Sequence, residues 1–547
     1  MSNTVLGPSG PVRDPRRATA PVRTKRAWVL WLLTFLIPGG AQVVAGNRRL
    51  GRIALSVTIT VWAALVAALL LLLIRRDWLI SVIADPNVQL VAAWVLAALA
   101  VGWAIIFLNT YSIIRPGLLA PGMKVIVTAA VVIAVVVGTG VLGYGSYVLF
   151  KGRSALSGIF ASGAPMKASD GRYNILVMGG DAGTGRLGLR PDSSAVWSID
   201  AKSGRIAVIS IPRNLQNAPF PKSSPMHKIY PEGYNCGDEC IFNSIYPTVD
   251  QKYKDLYPGT ESPGAQATME AASSVTGLDV GAYVVVDMAG FRELIDALGG
   301  VNITAGGWVP VHGKYWEGTQ VRNHWYSPGK HHFTGHQALW YARSRDFTSD
   351  YHRIRRQQCI QQAMINQFTP SNVLTKFTAI METGEDVIHT SLPQKQLGDF
   401  VNLADKARKH SFLRLTLGAP DFGTAADKFS TYPDYDQIHT RVGRLVERAT
   451  DSGAAKDKKA AEEKKAAEAS KKAEKKSSGA STDSSSGTSS GGTAEESGSA
   501  LKKNNEIPTT QPDGSAITEE YLVQLEVNGQ TGLIEQIVQN NDACKPE

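Results

Sequence analysis

A long apolar block in the first third of the chain restricts its possible folds more than any other feature. Three stretches of it each hold about the 20 apolar residues that a helix needs to cross a bilayer, namely Ile53–Ile74, Gln89–Leu108 and Val125–Phe150. The sequence therefore predicts a multi-pass membrane protein. For such a chain, the net charge of +9 does not by itself indicate a nucleic-acid partner.

A shorter apolar stretch, Ala27–Ala45, precedes these three. It is interrupted by Pro38, Gly39 and Gly40, which suits a re-entrant or interfacial hairpin better than a plain span. The predicted membrane region, residues 27–150, thus contains about three spans and one hairpin.

The charges around this region predict which side the rest of the chain occupies. Six basic residues and one acid lie in residues 1–26, and three arginines lie in residues 47–52, so both segments are expected in the cytoplasm. Three spans then place the large C-terminal part outside the cell membrane, whereas four spans would leave it in the cytoplasm. Arg75 and Arg76 would lie on the outer side of the three-span arrangement and oppose it.

Composition divides the remaining chain into four parts. Residues 1–26 are polar and Pro-rich, which is typical of a disordered arm. Residues 171–436 have the composition of a globular domain, and residues 451–515 form a spacer, first rich in Ala, Glu and Lys and then in Ser, Gly and Thr. Residues 516–547 regain apolar periodicity, which predicts a short helical element without an evident role.

The globular part alternates strand and helix patterns, which predicts an α/β sandwich with α/β/α layers and a mixed central sheet. Short apolar or alternating runs bounded by Gly or Pro predict strands, and apolar positions three to four residues apart predict helices. The predicted strands are 173–180, 194–200, 204–212, 282–288 and 301–305, and the predicted helices are 265–277, 290–300, 335–343 and 350–368.

Four cysteines are too few for a disulfide-based scaffold. Cys236 and Cys240 lack a second pair at zinc-ligand spacing, so a local disulfide is favoured over a metal site, with free thiols as the alternative. The pairing of Cys359 and Cys544 does not follow from the sequence.

Two familiar motifs lack the context that their chemistry requires. "GTGRLG" (183–188) matches a dinucleotide-binding pattern, but a strand follows it where a phosphate-binding helix would be needed. His332 and His336 are four residues apart, but Phe333 stands where a zinc protease has its general-base Glu. Neither motif predicts a site.

Carboxylates and arginines at strand ends form a more informative set. Asp181 ends the first predicted strand and Asp192 precedes the second, so the two carboxylates can meet and supply the hard oxygen ligands that Mg²⁺ prefers. Two turn aspartates are the alternative. Arginines, whose guanidinium groups suit phosphate, lie nearby: Arg190, Arg213, Arg343, Arg345 and Arg353. Gln357 lies four residues after Arg353 and so shares a helix face with it.

Together these residues predict a diphosphate site. The alternative for the helix is a solvated basic face with ion pairs to Asp346 and Asp350, and for Arg355 and Arg356 this alternative is preferred.

The quoted patterns resemble one family. "ILVMGGD…RPDSSAVWSID…IAVISIPR", "GLDVGAYVVVDMAGFRELIDALGGVNI" and "GHQALWYARSR…DYHRIRRQQ" are similar, in this order, to the LytR-CpsA-Psr family of Gram-positive bacteria. The resemblance implies a phosphotransferase that moves a glycopolymer from a polyprenyl-diphosphate carrier to a peptidoglycan sugar hydroxyl in cell-wall assembly. Membrane and peptidoglycan are implied partners, nucleic acid is not, and Mg²⁺ or Mn²⁺ is the implied cofactor.

The resemblance also implies roles for individual residues. Asp181 and Asp192 correspond to its metal ligands, and Lys228 corresponds to the lysine of a K-I-N motif that here reads "HKIYPEG". The residues implied to bind the diphosphate are Arg190, Arg213, Lys228, Arg343, Arg345, Arg353 and Gln357, and those implied in catalysis are Arg190, Asp192, Arg213, Arg343 and Arg345. Val284, Val286, Phe291 and Leu294 are expected to line a pocket for the prenyl chain.

This chain departs from the family at Asn214, where the family has Asp after Pro-Arg, so weaker ordering of Arg213 is expected. Two other functions use the same residues. One is a polyprenyl-diphosphate phosphatase with water as the acceptor. The other is a membrane-bound transcriptional regulator, which requires residues 151–547 to lie in the cytoplasm.

Overall fold

A computed structural model of the chain describes residues 13, 15–75, 78–79, 82–83, 85–161, 163–181, 189–311, 315–316, 319–320, 324–367, 388–452, 455, 508–540 and 543–546. It comprises two units, residues 1–165 with 393–402 and residues 166–392 with 403–547. The "GTGRLG" segment and most of the predicted spacer lie outside the described residues.

The first unit contains the apolar helices. They are α1 (Ala20–Leu36), α2 (Gly40–Ala45), α3 (Arg48–Ile74), α4 (Pro86–Ile114) and α5 (Pro121–Ile159). Three segments are long and apolar enough to cross a membrane, Arg48–Ile74, Pro86–Leu118 and Pro121–Ile159, and they contain the three predicted spans. The side chains of Asn47 and Asp85 cap α3 and α4 by accepting hydrogen bonds from main-chain N–H groups of the first turn.

Helices α1 and α2 cover the stretch predicted as a re-entrant or interfacial hairpin, and buried polar side chains attach them to α4. The Gln42 side chain donates to the Ile106 carbonyl at 3.0 Å and to Thr110 Oγ1 at 2.8 Å. Thr34 Oγ1 lies 2.8 Å from the same Thr110 Oγ1. These bonds satisfy polar groups that would be costly to bury alone.

Helix α1 begins at Ala20, so the prediction of a disordered arm through residue 26 is wrong for its last residues. Pro21 suits the first turn of a helix, and Arg23 and Arg26 donate to the Leu118 and Ile113 carbonyls at 3.0 and 3.1 Å. These two arginines therefore help to hold the start of the helix. Residues 1–12 and 14 lie outside the described chain.

A six-stranded mixed sheet forms the centre of the second unit, with the order β11-β4-β1-β2-β3-β12. The pairs β1–β4 and β3–β12 are parallel, and the other neighbours are antiparallel. The strands are β1 (Arg172–Asp181), β2 (Arg190–Asp200), β3 (Ile206–Ile211), β4 (Ala282–Asp287), β11 (Ile388–Thr390) and β12 (Leu413–Thr416). The first four confirm predicted strands, whereas the edge strands β11 and β12 were not predicted.

Helices cover both faces of this sheet. The described α-helices between β3 and the spacer are α6 (Ile245–Thr248), α7 (Pro263–Thr276), α8 (Met288–Ala297), α9 (Gly335–Arg343), α10 (Asp350–Gln367), α11 (Leu397–Ala407) and α12 (Tyr435–Arg448). Gly277, with φ 71°, ends α7 in the left-handed conformation that glycine allows, as the sequence predicted.

Alternate residues along the strands face different helix layers. Leu176, Met178 and Ile209 belong to a buried cluster that includes apolar residues of α7 and α12. Ser210, next along β3, instead accepts a hydrogen bond from the Gln358 side chain of α10 at 2.7 Å. The domain is therefore the predicted α/β/α sandwich.

The remaining described strands lie in smaller sheets. Strand β5 (Val301–Ala305) lies between β10 (Gly329–Phe333) and β13 (Cys544–Pro546), β6 (Val309–Val311) pairs with β9 (His324–Tyr326), and β7 (Tyr315–Trp316) pairs with β8 (Thr319–Gln320). The C-terminal segment contributes β13 and two short helices, α13 (Glu519–Val527) and α14 (Thr531–Ile537), so the predicted helical element exists and also carries a strand.

Both cysteine pairs form disulfides. Cys236 and Cys240 form the local disulfide that the sequence favoured, with their Cα atoms 5.2 Å apart. Cys359 of α10 is bonded to Cys544 of β13, with a Cα–Cα distance of 6.0 Å. This second disulfide was not predictable, because its partners are 185 residues apart in the sequence.

Candidate functional site

An irregularity in the β1–β2 pairing positions Asp192. Gly179 pairs with Ser193 and Gly180 with Pro191, so Asp192 is an extra residue in β2, which is the arrangement of a β-bulge. Bulges change the direction of a side chain and interrupt regular pairing. Asp181 pairs through its main chain with Arg190, two residues before Asp192, while the Asp181 side chain lies outside the described structure. The main chains of both predicted metal ligands therefore lie at this end of the β1–β2 pair.

Arg213 follows β3 and contacts Asp192. Its Nη1 donates to Asp192 Oδ1 at 3.1 Å, and the two side chains are 36% and 38% exposed. The Arg213 carbonyl accepts from the Asn243 N–H at 3.1 Å, which fixes the main chain at this point. Asn214, the residue that departs from the family, donates to Ser430 Oγ at 3.0 Å. Asp192 therefore orients the Arg213 guanidinium without a carboxylate at position 214.

Arg353 lies behind this pair, on the first turn of α10. It is only 4% exposed, and its Nη2 donates to the Asp192 carbonyl at 3.1 Å and to the Asp350 carboxylate at 3.0 Å. Burial lowers the pKa of Arg353, an effect that Asp350 and Asp192 oppose and that the charges of Arg213 and Arg345 reinforce.

The ion pair with Asp350 is one that the sequence offered for a solvated helix face, but Arg353 is buried and not solvated. Within the described residues, the Arg353 Nε–H is also buried and has no hydrogen-bond partner. The guanidinium thus joins α10 to β2.

Two further arginines of the predicted site lie at the end of α9. Arg343 is the last residue of this helix, and Arg345 lies in the following loop; both are exposed. The Arg343 guanidinium lies 5.8 Å from the ring centroid of Trp340, and the Trp340 Nε1–H donates to His336 Nε2 at 2.9 Å. His336 therefore accepts a hydrogen bond from the tryptophan that lies beside Arg343.

The interpretation of Arg356 as a solvated helix residue is wrong. Its side chain is fully buried, with Nε donating to the Tyr341 carbonyl at 3.0 Å and Nη2 donating to the Ser344 carbonyl. These carbonyls flank Arg343. Arg356 shares a helix face with Cys359, Ile360 and Ala363 of the adjoining apolar cluster, and this spacing was the sequence signal of its burial. Arg355 is exposed, as the same interpretation expected.

The structure places the remaining predicted residues as follows. Arg190 is exposed at the start of β2, Lys228 is exposed at the end of a short 3₁₀ helix (Pro225–Lys228), and Gln357 is half-buried one turn after Arg353. Their contact with a ligand stays a prediction. The four residues expected to line an apolar pocket, Val284, Val286, Phe291 and Leu294, are each half-buried.

No cluster of three or more His, Cys, Asp or Glu side chains at metal-binding distance occurs within the described residues. The site as described therefore joins two carboxylates, Asp192 and Asp350, to arginines from separate elements, Arg213 and Arg353. Such an arrangement can bind a dianionic phosphate group and stabilise charge on a departing phosphate.

Comparisons with known proteins agree with this chemistry. The sequence pattern of the LytR_cpsA_psr family matches residues 154–436, which is just over half of the chain. The polyisoprenyl-teichoic acid–peptidoglycan teichoic acid transferase TagU of Bacillus subtilis is 26% identical over 287 residues, covering 50% of this chain and 80% of TagU. Bacillus subtilis TagV, which carries the same transferase name, is 26% identical over 227 residues, covering 40% of this chain and 50% of TagV.

Two solved structures are also similar. The crystal structure of Bacillus subtilis TagV superposes with a TM-score of 0.36 at 19% identity, covering 51% of this chain and 98% of that one. The LytR-Csp2A-Psr enzyme from Actinomyces oris gives 0.34 at 18% identity, covering 52% and 95%. On the match to its residues 154–436, the chain belongs to the LytR-CpsA-Psr family.

Proposed function

We propose that the protein transfers a glycopolymer from a polyprenyl-diphosphate carrier to a sugar hydroxyl of peptidoglycan and so forms a phosphodiester. One observation carries this proposal: Asp192 is held between Arg213 and Arg353, which come from different elements of the fold. The transferase names of the family relatives TagU and TagV agree with it.

In this proposal the arginines neutralise the diphosphate. Arg343 and Arg345 are exposed at the end of α9, and Arg213 is one-third exposed beside Asp192, so all three are accessible to a phosphate group. The acceptor hydroxyl attacks the phosphorus that carries the polymer and releases its proton to solvent water, and the bond from this phosphorus to the oxygen of the departing polyprenyl phosphate breaks. Fixed positive charge stabilises the developing negative charge, and most of the rate in such transfers comes from positioning and electrostatics.

The described residues suit a magnesium ion in part. The Asp192 carboxylate is bonded by Arg213 at Oδ1 and is 38% exposed, and a hard oxygen donor of this kind is what Mg²⁺ or Mn²⁺ prefers. Asp192 and Asp181 would hold the ion, because their main chains lie at the same end of the β1–β2 pair. When bound, the ion would add positive charge beside the diphosphate. Since Arg213 already engages Asp192, we assign this carboxylate a binding role and not that of proton acceptor.

The prenyl chain is proposed to lie beside β4 and α8. Val284 and Val286 on β4 and Phe291 and Leu294 on α8 are half-buried, so apolar surface remains accessible between sheet and helix. Burying this surface against a hydrocarbon chain would favour binding by about 25 cal/mol per Å².

The transfer reaction also requires the domain to lie outside the cytoplasmic membrane, where peptidoglycan is. The three apolar helices and the basic N-terminal arm support this placement. A reporter fused after Ser481 tests it. Alkaline phosphatase activity, without fluorescence from a matched green-fluorescent fusion, is expected; the opposite pattern would favour the regulator hypothesis.

The reaction itself is tested with full-length protein in detergent, a labelled polyprenyl-diphosphate glycopolymer and a muropeptide acceptor. Wild-type protein is expected to form a phosphodiester product, and the double variant Arg343→Ala/Arg345→Ala to lose at least about 100-fold in rate. Arg355→Ala, an exposed arginine on α10, is the control and should retain activity. Release of free polymer phosphate without acceptor product would indicate the phosphatase, and wild-type rates in the double variant would refute the site.

A further inference from the structure

The C-terminal segment, residues 508–546, packs against the catalytic domain at a defined place. Its helices α13 and α14 contribute most of a buried apolar cluster, and the catalytic domain contributes Trp325 from β9. Phe347 and Trp308 pack against the same cluster. The segment is therefore a docked part of the domain, although 52 residues (456–507) that precede it lie outside the described chain.

Three kinds of contact attach this segment. Strand β13 adds to the small sheet through β5, with Cys544 opposite Ala305. The Cys359–Cys544 disulfide connects the strand to α10, the helix that carries Arg353. Glu519, in the first turn of α13, accepts from the Trp325 N–H at 3.1 Å. The segment is thus attached to β5, to α10 and to β9, and of these α10 carries a site arginine.

Phe347 connects the apolar cluster of α13 and α14 to the loop that carries Arg345. It lies in the loop between α9 and α10, two residues after Arg345, and its ring stacks on Trp325 with centroids 5.9 Å apart and planes at 14°. Its φ of 57° lies in the left-handed region, which a bulky residue occupies only where its surroundings hold it. The stacking and the apolar cluster are such surroundings. The packing of Phe347 against the apolar cluster of the C-terminal segment thus fixes the main chain next to Arg345.

We propose that the C-terminal segment is a brace for the loop of residues 344–349, with Phe347 as the positioning residue through which it acts. Without the brace the loop would sample other conformations, and Arg345 would lose the orientation that diphosphate binding requires. A fixed arginine binds phosphate better because less conformational freedom is lost on binding. The consequence for catalysis rests on the proposed function, but the effect on the loop does not.

Hydrogen–deuterium exchange and transfer kinetics on the full-length protein test this brace. Phe347→Ala is expected to speed the exchange of residues 344–349 at least tenfold and to raise KM for the diphosphate donor by a similar factor. Phe347→Tyr, which keeps an aromatic ring for Trp325, should restore both. The paired variant Cys359→Ser/Cys544→Ser should shift both quantities in the same direction as Phe347→Ala.

Two matched controls separate the brace from a general loss of stability. Phe412→Ala removes a buried phenylalanine from its edge-to-face contact with Trp197, and Cys236→Ser/Cys240→Ser removes the other disulfide. Both should leave the exchange of residues 344–349 and the donor KM unchanged. Unchanged loop exchange in both Phe347→Ala and Cys359→Ser/Cys544→Ser would overturn the proposal. If the loop responds as expected but the wild-type protein transfers no polymer, the brace stands and the proposed function fails.

Discussion

Arg356 bonds the Tyr341 carbonyl through its Nε, and this contact fixes the end of α9 against α10. The guanidinium also donates to the Ser344 carbonyl and lies 5.9 Å from the Tyr341 ring centroid. Arg343 lies between these two carbonyl positions in the sequence. The fully buried Arg356 thus fixes the main chain that carries the exposed Arg343.

We therefore expect Arg356→Met to destabilise the domain. Buried carbonyls that lose their donor cost about 1–3 kcal/mol each, so for the two carbonyls we expect a fall in unfolding free energy of roughly 2–6 kcal/mol. Denaturant unfolding followed by tryptophan fluorescence would measure it. Arg355→Met, at the exposed neighbouring position, should change the free energy by less than about 1 kcal/mol. Equal losses in the two variants would contradict the buried role of Arg356.

Asp192→Asn is expected to reduce activity without unfolding the protein. The amide keeps the shape of the side chain but removes the negative charge beside Arg213, so we expect kcat to fall about 10²–10³-fold. The ion pair is one-third exposed on both sides, so the stability change should stay below about 1 kcal/mol. Steady-state kinetics over a range of Mg²⁺ concentrations and a melting curve measure the two effects.

Asp405→Asn is the matched control for Asp192→Asn, because Asp405 also pairs with an arginine, Arg408, at 2.9 Å. It should leave kcat unchanged. A similar loss of kcat in the two variants would show that the Asp192 effect does not arise at the site.

Asp200 should make the stability of the domain depend on pH in the acidic range. Burial alone would raise the pKa of Asp200, but hydrogen bonds from Ser203 and the charge of Arg172 outweigh it, so the pKa lies below its ordinary value of 3.8. A depressed pKa stabilises the fold above the unfolded-state value, and this stabilisation is lost as the pH falls through the folded-state value.

Asp200→Asn should therefore be less stable than wild type at pH 7, and the difference should shrink as the pH falls below about 4. Denaturant midpoints measured from pH 7 to pH 3 would show this. A difference that stays constant over the whole range would indicate that the charge of Asp200 is not responsible.

Gly39→Ala tests the turn of the membrane hairpin. Gly39 has a φ of 102°, and an added Cβ would lie 2.7 Å from the Gly51 carbonyl oxygen of α3. Both the backbone conformation and the contact exclude a side chain, so the variant should melt at a lower temperature in detergent. Gly143→Ala is the control, because nothing lies within 4 Å of its added Cβ. It should melt at the wild-type temperature or above, since alanine favours helix over glycine.

Local sequence patterns predicted most of the central fold. The apolar run that ends in Gly179 and Gly180 identified β1, and Gly277 marked the end of α7. The edge strands β11 and β12 gave no such signal, because they have three and four residues and are defined by pairing with strands far away in the sequence. Short edge strands depend on tertiary contacts more than on their own composition.

The site was predictable to a similar extent. The spacing of arginines and carboxylates led to Asp192 and Arg213, which the structure brings together. It could not show that Asp192 occupies a bulge, since a bulge depends on the register between two strands. It also missed the separate role of Arg356, because the charge pattern is the same whether an arginine faces solvent or carbonyl oxygens. The signal of its burial was instead the apolar spacing to Cys359, Ile360 and Ala363.

The Cys359–Cys544 disulfide makes the Ser/Gly/Thr-rich spacer part of a closed loop of the chain. Since the chain is anchored at α10 and again at β13, everything between them belongs to one covalently closed ring, whatever path residues 456–507 take. A protease that cut this stretch would open the ring without freeing either piece. The two fragments would remain covalently joined until a reductant broke the disulfide.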